Sequence, residues 1–167
     1  MKNKLVTGLF KTRADAERAF DEIKKHGYTR DSVSLLMSTA TKTKEFGIEE
    51  GSKAAAGAGV GGAVGGAIGA TIAAIVAIGT TVSVPGLGLV VAGPLAAAIA
   101  GAGAGAATGG LIGSLVGAGI PEYRAKVYDE AVRSGGIVLG VEAKDEKDAD
   151  LLEKVFEDAG AEHIRQD

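Results

Sequence analysis

The residues in this chain that could carry chemistry are few and widely separated. Gly57-Ala58-Gly59-Val60-Gly61-Gly62 fits the G-x-G-x-x-G pattern whose backbone cradles a dinucleotide pyrophosphate. That role needs a strand before the first glycine, and no strand-like run precedes Gly57. In a segment this rich in glycine, a chance match is the simpler reading. Gly47 to Lys53 resembles a phosphate loop but is one residue short, and Glu49 and Glu50 would repel the phosphates it should hold. It reads as a linker. His26 falls at a helix end, where an imidazolium complements the dipole, and His163 lies far away in the last strand. Asp145, Glu146, Asp148 and Asp150 crowd a helix start, which suits capping and dipole complementation; the spacing of a calcium loop is absent. Tyr123 and Tyr128 could stack on a ligand, but Tyr128 sits on the apolar side of a helix and Tyr123 at its edge. Cysteine is absent, which excludes disulfides, thiolate nucleophiles and cysteine-based metal sites. With no Ser/His/Asp set and no paired histidines, the chain reads as a non-enzyme that needs no cofactor or metal.

A different spacing dominates the sequence. Residues 54–121 are 68 consecutive positions without Asp, Glu, Lys, Arg or His, and within them glycine recurs at every fourth position in two series. The first is Gly57, Gly61, Gly65 and Gly69; the second is Gly101, Gly105, Gly109, Gly113 and Gly117. On a helix this spacing stacks the glycines along one side, where missing side chains let a second backbone approach closely. These nine positions are the candidate helix-packing and oligomerisation residues. Glycine costs about 1 kcal/mol relative to alanine in a helix interior, so a partner outside each helix must supply the stability.

The elements flanking this region are conventional. Leu5 to Phe10 predicts a strand, Thr12 offers an N-cap with Asp15 at the capping-box position, and Ala16, Ala19, Phe20 and Ile23 share one helix side before Gly27. Val33, Leu35 and Met37 then share one side of a second strand. After Pro121 a helix presents Val127, Tyr128, Ala131 and Val132 and stops at Gly135. Gly136 to Ala143 predicts a strand. Asp145 caps a helix that buries Leu152, Val155, Phe156 and Ala159 and ends at Gly160, and Ala161 to Arg165 gives a last short strand. With the middle removed, the order is β-α-β followed by β-α-β. This predicts an α+β, ferredoxin-like domain: one sheet with helices on one face, split by a long Gly/Ala-rich helical hairpin. The boundaries are 1–50 and 121–167 for the two halves and 51–120 for the hairpin. The halves are expected to pair across the insertion, because neither alone has strands enough for a stable core.

Ala54 to Gly79 and Pro94 to Ala118 predict the two helices of the hairpin, and each is long enough at about 1.5 Å per residue to cross a hydrocarbon core of about 30 Å. The connector Thr80 to Gly93 carries Pro85-Gly86 and Gly88 as turn formers together with Val82, Val84, Leu87, Leu89, Val90 and Val91. Three surroundings could satisfy such a hairpin. It could lie in a bilayer, glycine sides together, with Val60, Val64, Ile68, Ile72, Leu111, Ile112, Leu115 and Val116 turned to lipid. It could be buried among copies of itself. Or it could fold back on its own domain, although one small sheet offers little area to cover two long helices. Length favours the bilayer. Lys42, Lys44, Lys53, Arg124 and Lys126 flank its roots while the connector has no basic residue, so both arms are expected on the cytoplasmic side of the inner membrane. A wholly cytoplasmic location goes with the soluble assembly.

Charge and leader signals narrow the partners. Residues 1–53 carry 11 basic and 8 acidic side chains, residues 122–167 carry 7 and 13, and the two sum to the net −3 of the chain. Bases and acids are interspersed, with no basic stripe for a nucleic-acid backbone. Met1 to Phe10 has no apolar run of signal-peptide length.

Phe10-Lys11-Thr12 through Ala16-Glu17 and Ala19, then Gly27-Tyr28 with Asp31-Ser32-Val33-Ser34-Leu35, form one recognisable set of residues. A second is Ala118-Gly119-Ile120-Pro121-Glu122, leading to Ala125, Tyr128, Glu130 and Arg133-Ser134-Gly135-Gly136-Ile137-Val138. Together they resemble the bacterial general stress, or heat-induced stress, protein family, whose α/β segments surround a glycine-zipper insertion. The resemblance spans nearly the whole chain and brings no catalytic residues. It implies a stress-associated, non-catalytic protein. The reading from residues and resemblance together is a membrane-anchored or membrane-assembled homo-oligomer, with a soluble ring, shell or filament as the alternative.

Overall fold

A computed structural model describes residues 4–46, 80–84, 87–101 and 104–166. Strand β1 (Lys4–Phe10) leads through Thr12 into helix α1 (Arg13–Lys25), and β2 (Val33–Ser38) runs directly into α2 (Thr39–Phe46). The middle region contributes β3 (Thr80–Val84), β4 (Leu87–Ala92), α3 (Pro94–Gly101) and α4 (Ala104–Gly117). Helix α5 (Glu122–Arg133), β5 (Ile137–Ala143), α6 (Glu146–Asp158) and β6 (Glu162–Gln166) complete the chain. The strands form one six-stranded sheet in the order β3-β4-β2-β5-β1-β6, every neighbouring pair antiparallel.

The local signals in the two arms act as their chemistry dictates. Thr12 Oγ1 accepts from the Asp15 N–H at 3.2 Å and donates to Asp15 Oδ2 at 2.7 Å, and Asp145 Oδ1 accepts from the Asp148 N–H at 2.9 Å. Gly27, Gly135 and Gly160 end their helices, and the next residue in each case bonds back to a carbonyl five positions earlier: Tyr28 to Ile23, Gly136 to Ala131, Ala161 to Phe156. The predicted apolar sides of α1 and α6 are buried together against one face of the sheet, with Val6, Phe10, Val33, Leu35, Met37, Leu139 and Val141. Phe10 and Phe156 meet edge to face at 5.5 Å between ring centres.

The other face corrects the expectation of helices on one face alone. Leu9, Leu36, Val138, Leu89 and Val91 point to the opposite side and are buried with Leu95 and Ile99 of α3, Leu111 and Leu115 of α4, and Ala125, Tyr128 and Val132 of α5. Every residue of β2 is buried in consequence. The physical reason is strand alternation: a central strand with apolar residues at odd and even positions needs cover on both sides.

The middle region differs from the expected hairpin in three further respects. The connector is a β-hairpin that extends the sheet rather than a turn: Val84 stands opposite Leu87, and β4 pairs with β2 from Leu35↔Ala92 to Ser38↔Leu89. Its strands find backbone partners, and Leu89, Val90 and Val91 are buried, which a lipid-side turn would deny them. The second helix is described as α3 and α4, on either side of 102–103, and α4 is broken at Gly110 (φ 57, ψ −142), a backbone conformation glycine adopts without strain. Leu111 and Leu115, expected to face lipid, are 1% and 0% exposed on the protein's own sheet. The first expected helix, Ala54 to Gly79, lies outside the described residues.

One polar contact and one close backbone passage fasten this second layer. Ser34, buried on β2, accepts the Leu95 N–H at 3.0 Å and so satisfies a free donor at the start of α3. Gly93, which turns the chain from β4 into α3 at φ +77, lies so close to β2 that an added Cβ would overlap the carbonyl oxygen of Val33 and stand 2.9 Å from Ser34 Cα. Gly93→Ala therefore combines left-handed strain with a clash against a central strand. It is expected to lower stability by about 2 kcal/mol or more in urea unfolding. A loss below about 0.5 kcal/mol, the size of an ordinary exposed-turn substitution, would contradict this packing.

Candidate functional site

The candidate site is the glycine-bearing side of the middle region, and α4 positions the part that is described. Positions 111 and 115 are one turn apart, while 113 and 117 fall about 200° away around the same limb of the helix; Gly109 lies on the other side of the break at Gly110. Burying the leucines therefore turns Gly113 and Gly117 out. Gly109 is exposed, and among the described residues no atom lies within 4 Å of where its Cβ would stand. Gly113 is half-buried, Gly117 is exposed, and Val116 beside it is 43% exposed. Gly101 closes α3 and Gly105 lies in the first limb of α4. Gly57, Gly61, Gly65 and Gly69 lie outside the described residues. The break at Gly110 means that Gly105 and Gly109 belong to one helical limb and Gly113 and Gly117 to the next. At that break Ser114, itself buried, donates its hydroxyl to the Gly110 carbonyl at 2.8 Å.

The groups that could carry reactive chemistry hold structural partners instead. Asp148 accepts from the Lys144 N–H at 3.0 Å and from the Tyr28 hydroxyl, and Lys144 Nζ lies 4.7 Å from the Tyr28 ring centre. Glu146 pairs with Lys4 at 2.9 Å, and Asp150 accepts from Gln166 at 2.9 Å. His26 Nε2 lies 3.9 Å from Glu22 on its own helix, and among the described residues no three His, Asp or Glu side chains are grouped to hold a metal. Tyr123 is 65% exposed, with the Arg124 guanidinium 5.7 Å from its ring.

Two of the bases expected to flank a membrane root are not at the surface. Lys42 and Arg124 are 7% and 5% exposed. Lys44 and Lys126 are exposed, and Lys126 pairs with Glu122 at 2.9 Å. A shallow cleft of 450 Å³ between α1 and α6, lined in part by Arg18, Glu22, His26, Leu151, Lys154 and Asp158, has no counterpart in the sequence reading. Its residues come from two helices distant in sequence, and each is an ordinary solvent-side residue of its own helix. No sequence signal marks it.

Tyr128 joins the site to the sheet. Fully buried on α5, it donates to Thr7 Oγ1 at 2.7 Å, and Thr7 is itself buried on β1. Burial pushes the Tyr128 hydroxyl above its usual value of 10.0, against smaller opposing effects of the Thr7 hydrogen bond and the Arg124 and Arg165 charges.

No protein-family model, no curated protein and no solved structure matches this chain.

Because the folded state holds the Tyr128 proton more tightly than the unfolded chain, the resulting stability is present below about pH 10 and is lost as pH rises through the folded value. Stability is expected to fall more steeply above about pH 10 in the wild type than in Tyr128→Phe. The variant should also lose about 1–3 kcal/mol at neutral pH, because the buried Thr7 hydroxyl loses its partner. Chemical unfolding across pH 7 to 11 measures both effects; parallel pH curves would exclude a buried, titrating Tyr128.

Proposed function

We propose that this chain is a non-catalytic, self-associating protein whose α/β domain presents a glycine-faced helix to a second copy of itself. The observation that carries the reading is the division of α4: Leu111 and Leu115 are buried on the sheet while Gly109 is open to its surroundings. Among the described residues no atom stands within 4 Å of a Cβ at Gly109, so no described element uses that glycine for close packing. Four-residue glycine spacing suits close approach by another backbone. The four strands β2-β5-β1-β6, with α1 and α6 on one face, have the order and connections of a ferredoxin-like core, and we read the domain as that fold with β3, β4, α3 and α4 inserted. Association with stress rests on the family resemblance alone.

Attachment to the inner face of a membrane, with the α/β domain in the cytoplasm, is the second reading. It is favoured by the 26 residues from Ala54 to Gly79, which contain only alanine, glycine, one threonine and seven valines or isoleucines. Among the described residues, no helix is long and apolar enough to cross a membrane. Self-association needs no span and is preferred here.

Gly109→Leu alone should leave monomer stability within about 1 kcal/mol, since a side chain there has open space. Combined with Gly61→Leu, it should shift the sedimenting species of the purified full chain to a smaller size. An unchanged particle in the double variant would refute the glycine face as an assembly surface. Flotation of the wild type with liposomes, resisting carbonate, would transfer the proposal to the membrane reading.

A further inference from the structure

The two edges of the sheet differ in chemistry. Edge strand β6 carries several devices that prevent pairing with another chain. Its residues include Glu162, His163 and Arg165, its register against β1 shifts between Thr7 and Leu9, and His163 is left-handed at φ 51. Gln166 is tied to Asp150 and Glu153 of α6 at 2.9 and 2.8 Å, and Glu162 to Lys11 at 2.6 Å.

Edge strand β3 lacks the charges and the register shift. Its sequence is Thr80-Thr81-Val82-Ser83-Val84, without charge, proline or glycine, and its register with β4 is unbroken over all five positions. Among the described residues no strand pairs with its outer side. In an antiparallel strand the N–H and C=O of alternate residues point outward, so this edge offers a regular row of donors and acceptors.

We propose that β3 is a pairing edge for a second copy of this chain, running antiparallel about a two-fold axis at Val82 and joining two sheets into one. The strand is self-complementary in that register. Val82 stands opposite Val82 of the other copy, Thr81 opposite Ser83, and Thr80 opposite Val84. These are a β-branched pair, a hydroxyl pair able to hydrogen-bond, and a second β-branched pair, each of a favoured cross-strand type. A two-fold axis sets every residue against its own strand, so a charged edge would meet like charge. With no charged residue from 54 to 121, β3 and the hairpin around it impose no such penalty. A foreign peptide would find no ionic group on this edge to select it. The proposal stands apart from the glycine face, and both surfaces together would let association continue beyond a dimer.

The absence of cysteine from the chain makes a direct test available. Opposed residues in an antiparallel pair have Cα atoms about 4.5–5.5 Å apart, within the disulfide range of about 4.4–6.8 Å. Val82→Cys in the full chain should cross-link to a dimer under mild oxidation. Thr81→Cys should not do so alone, but should cross-link when mixed with Ser83→Cys. Val82→Lys should raise the dimer dissociation constant at least tenfold in sedimentation, and an unchanged thermal midpoint would show that it folds. Should that variant unfold, hydrogen exchange of the wild type decides: protection of β3 amides should fall on dilution. An uncross-linked Val82→Cys, or β3 protection that is independent of concentration because the chain covers its own edge, would overturn the proposal. Val82→Cys placed in the Gly61→Leu, Gly109→Leu background should still cross-link, which separates failure of this edge from failure of the glycine face.

Discussion

A central strand that is apolar on both sides sets the architecture of this protein. Strand β2 is buried along its whole length, and Leu36 on it shares the second face with Leu9, Val138, Leu89 and Val91. Water cannot be left against that surface, and α5 alone does not cover it. Burying a leucine or isoleucine stabilises by about 1.5–3 kcal/mol, so Leu95, Ile99, Leu111 and Leu115 together contribute roughly 6–12 kcal/mol. The interior helical glycines of α4, Gly105, Gly109 and Gly113, cost about 1 kcal/mol each. The apolar contribution wins, and the glycine-rich segment folds on its own sheet. The break at Gly110, the Ser34 contact to Leu95 and the close passage of Gly93 are the geometric consequences of bringing that segment down onto β2 and β4.

Much of the two arms was legible in the sequence because their signals are local. The caps at Thr12 and Asp145, the stops at Gly27, Gly135 and Gly160, and the apolar spacing of Ala16, Ala19, Phe20 and Ile23 each depend on residues within two turns of one another. Two-sided burial was legible too. Val33-Ser34-Leu35-Leu36-Met37 and Ile137-Val138-Leu139 are runs rather than alternations, the signature of strands covered on both faces, whereas the expected face was that of Val33, Leu35 and Met37 alone on β2 and none was assigned on β5. The connector was misread because Pro85-Gly86 marks a turn whether the flanking valines pair with a sheet or not. Its strand character depends on β2 offering an edge, which lies 50 residues away. The helix break had no signal at all: Gly109-Gly110 in a Gly/Ala run looks like any neighbouring pair until the packing of Leu111 demands a bend.

The same logic governs the candidate site. The four-residue glycine spacing puts Gly113 and Gly117 on one side of the limb that follows Gly110, but a helix side has no meaning until the opposite side is placed. Placing the leucines inward leaves the glycines outward. Polar groups elsewhere are committed to structure: Asp148 to Tyr28 and Lys144, Tyr128 to Thr7, Glu146 to Lys4. What the described surface offers a partner is backbone, at the glycine side of α4 and along β3.

The central claim is that residues 87–117 belong to the same cooperative core as the flanking arms. Native-state hydrogen exchange in Leu115→Ala tests it most directly. The account predicts that amides of β4 and β5 lose the same opening free energy, about 2–5 kcal/mol, because Leu115 is buried in the one cluster that both strands line. Loss confined to β4, with β1, β2 and β5 exchanging as in the wild type, would show that the middle region folds by itself and would contradict the account.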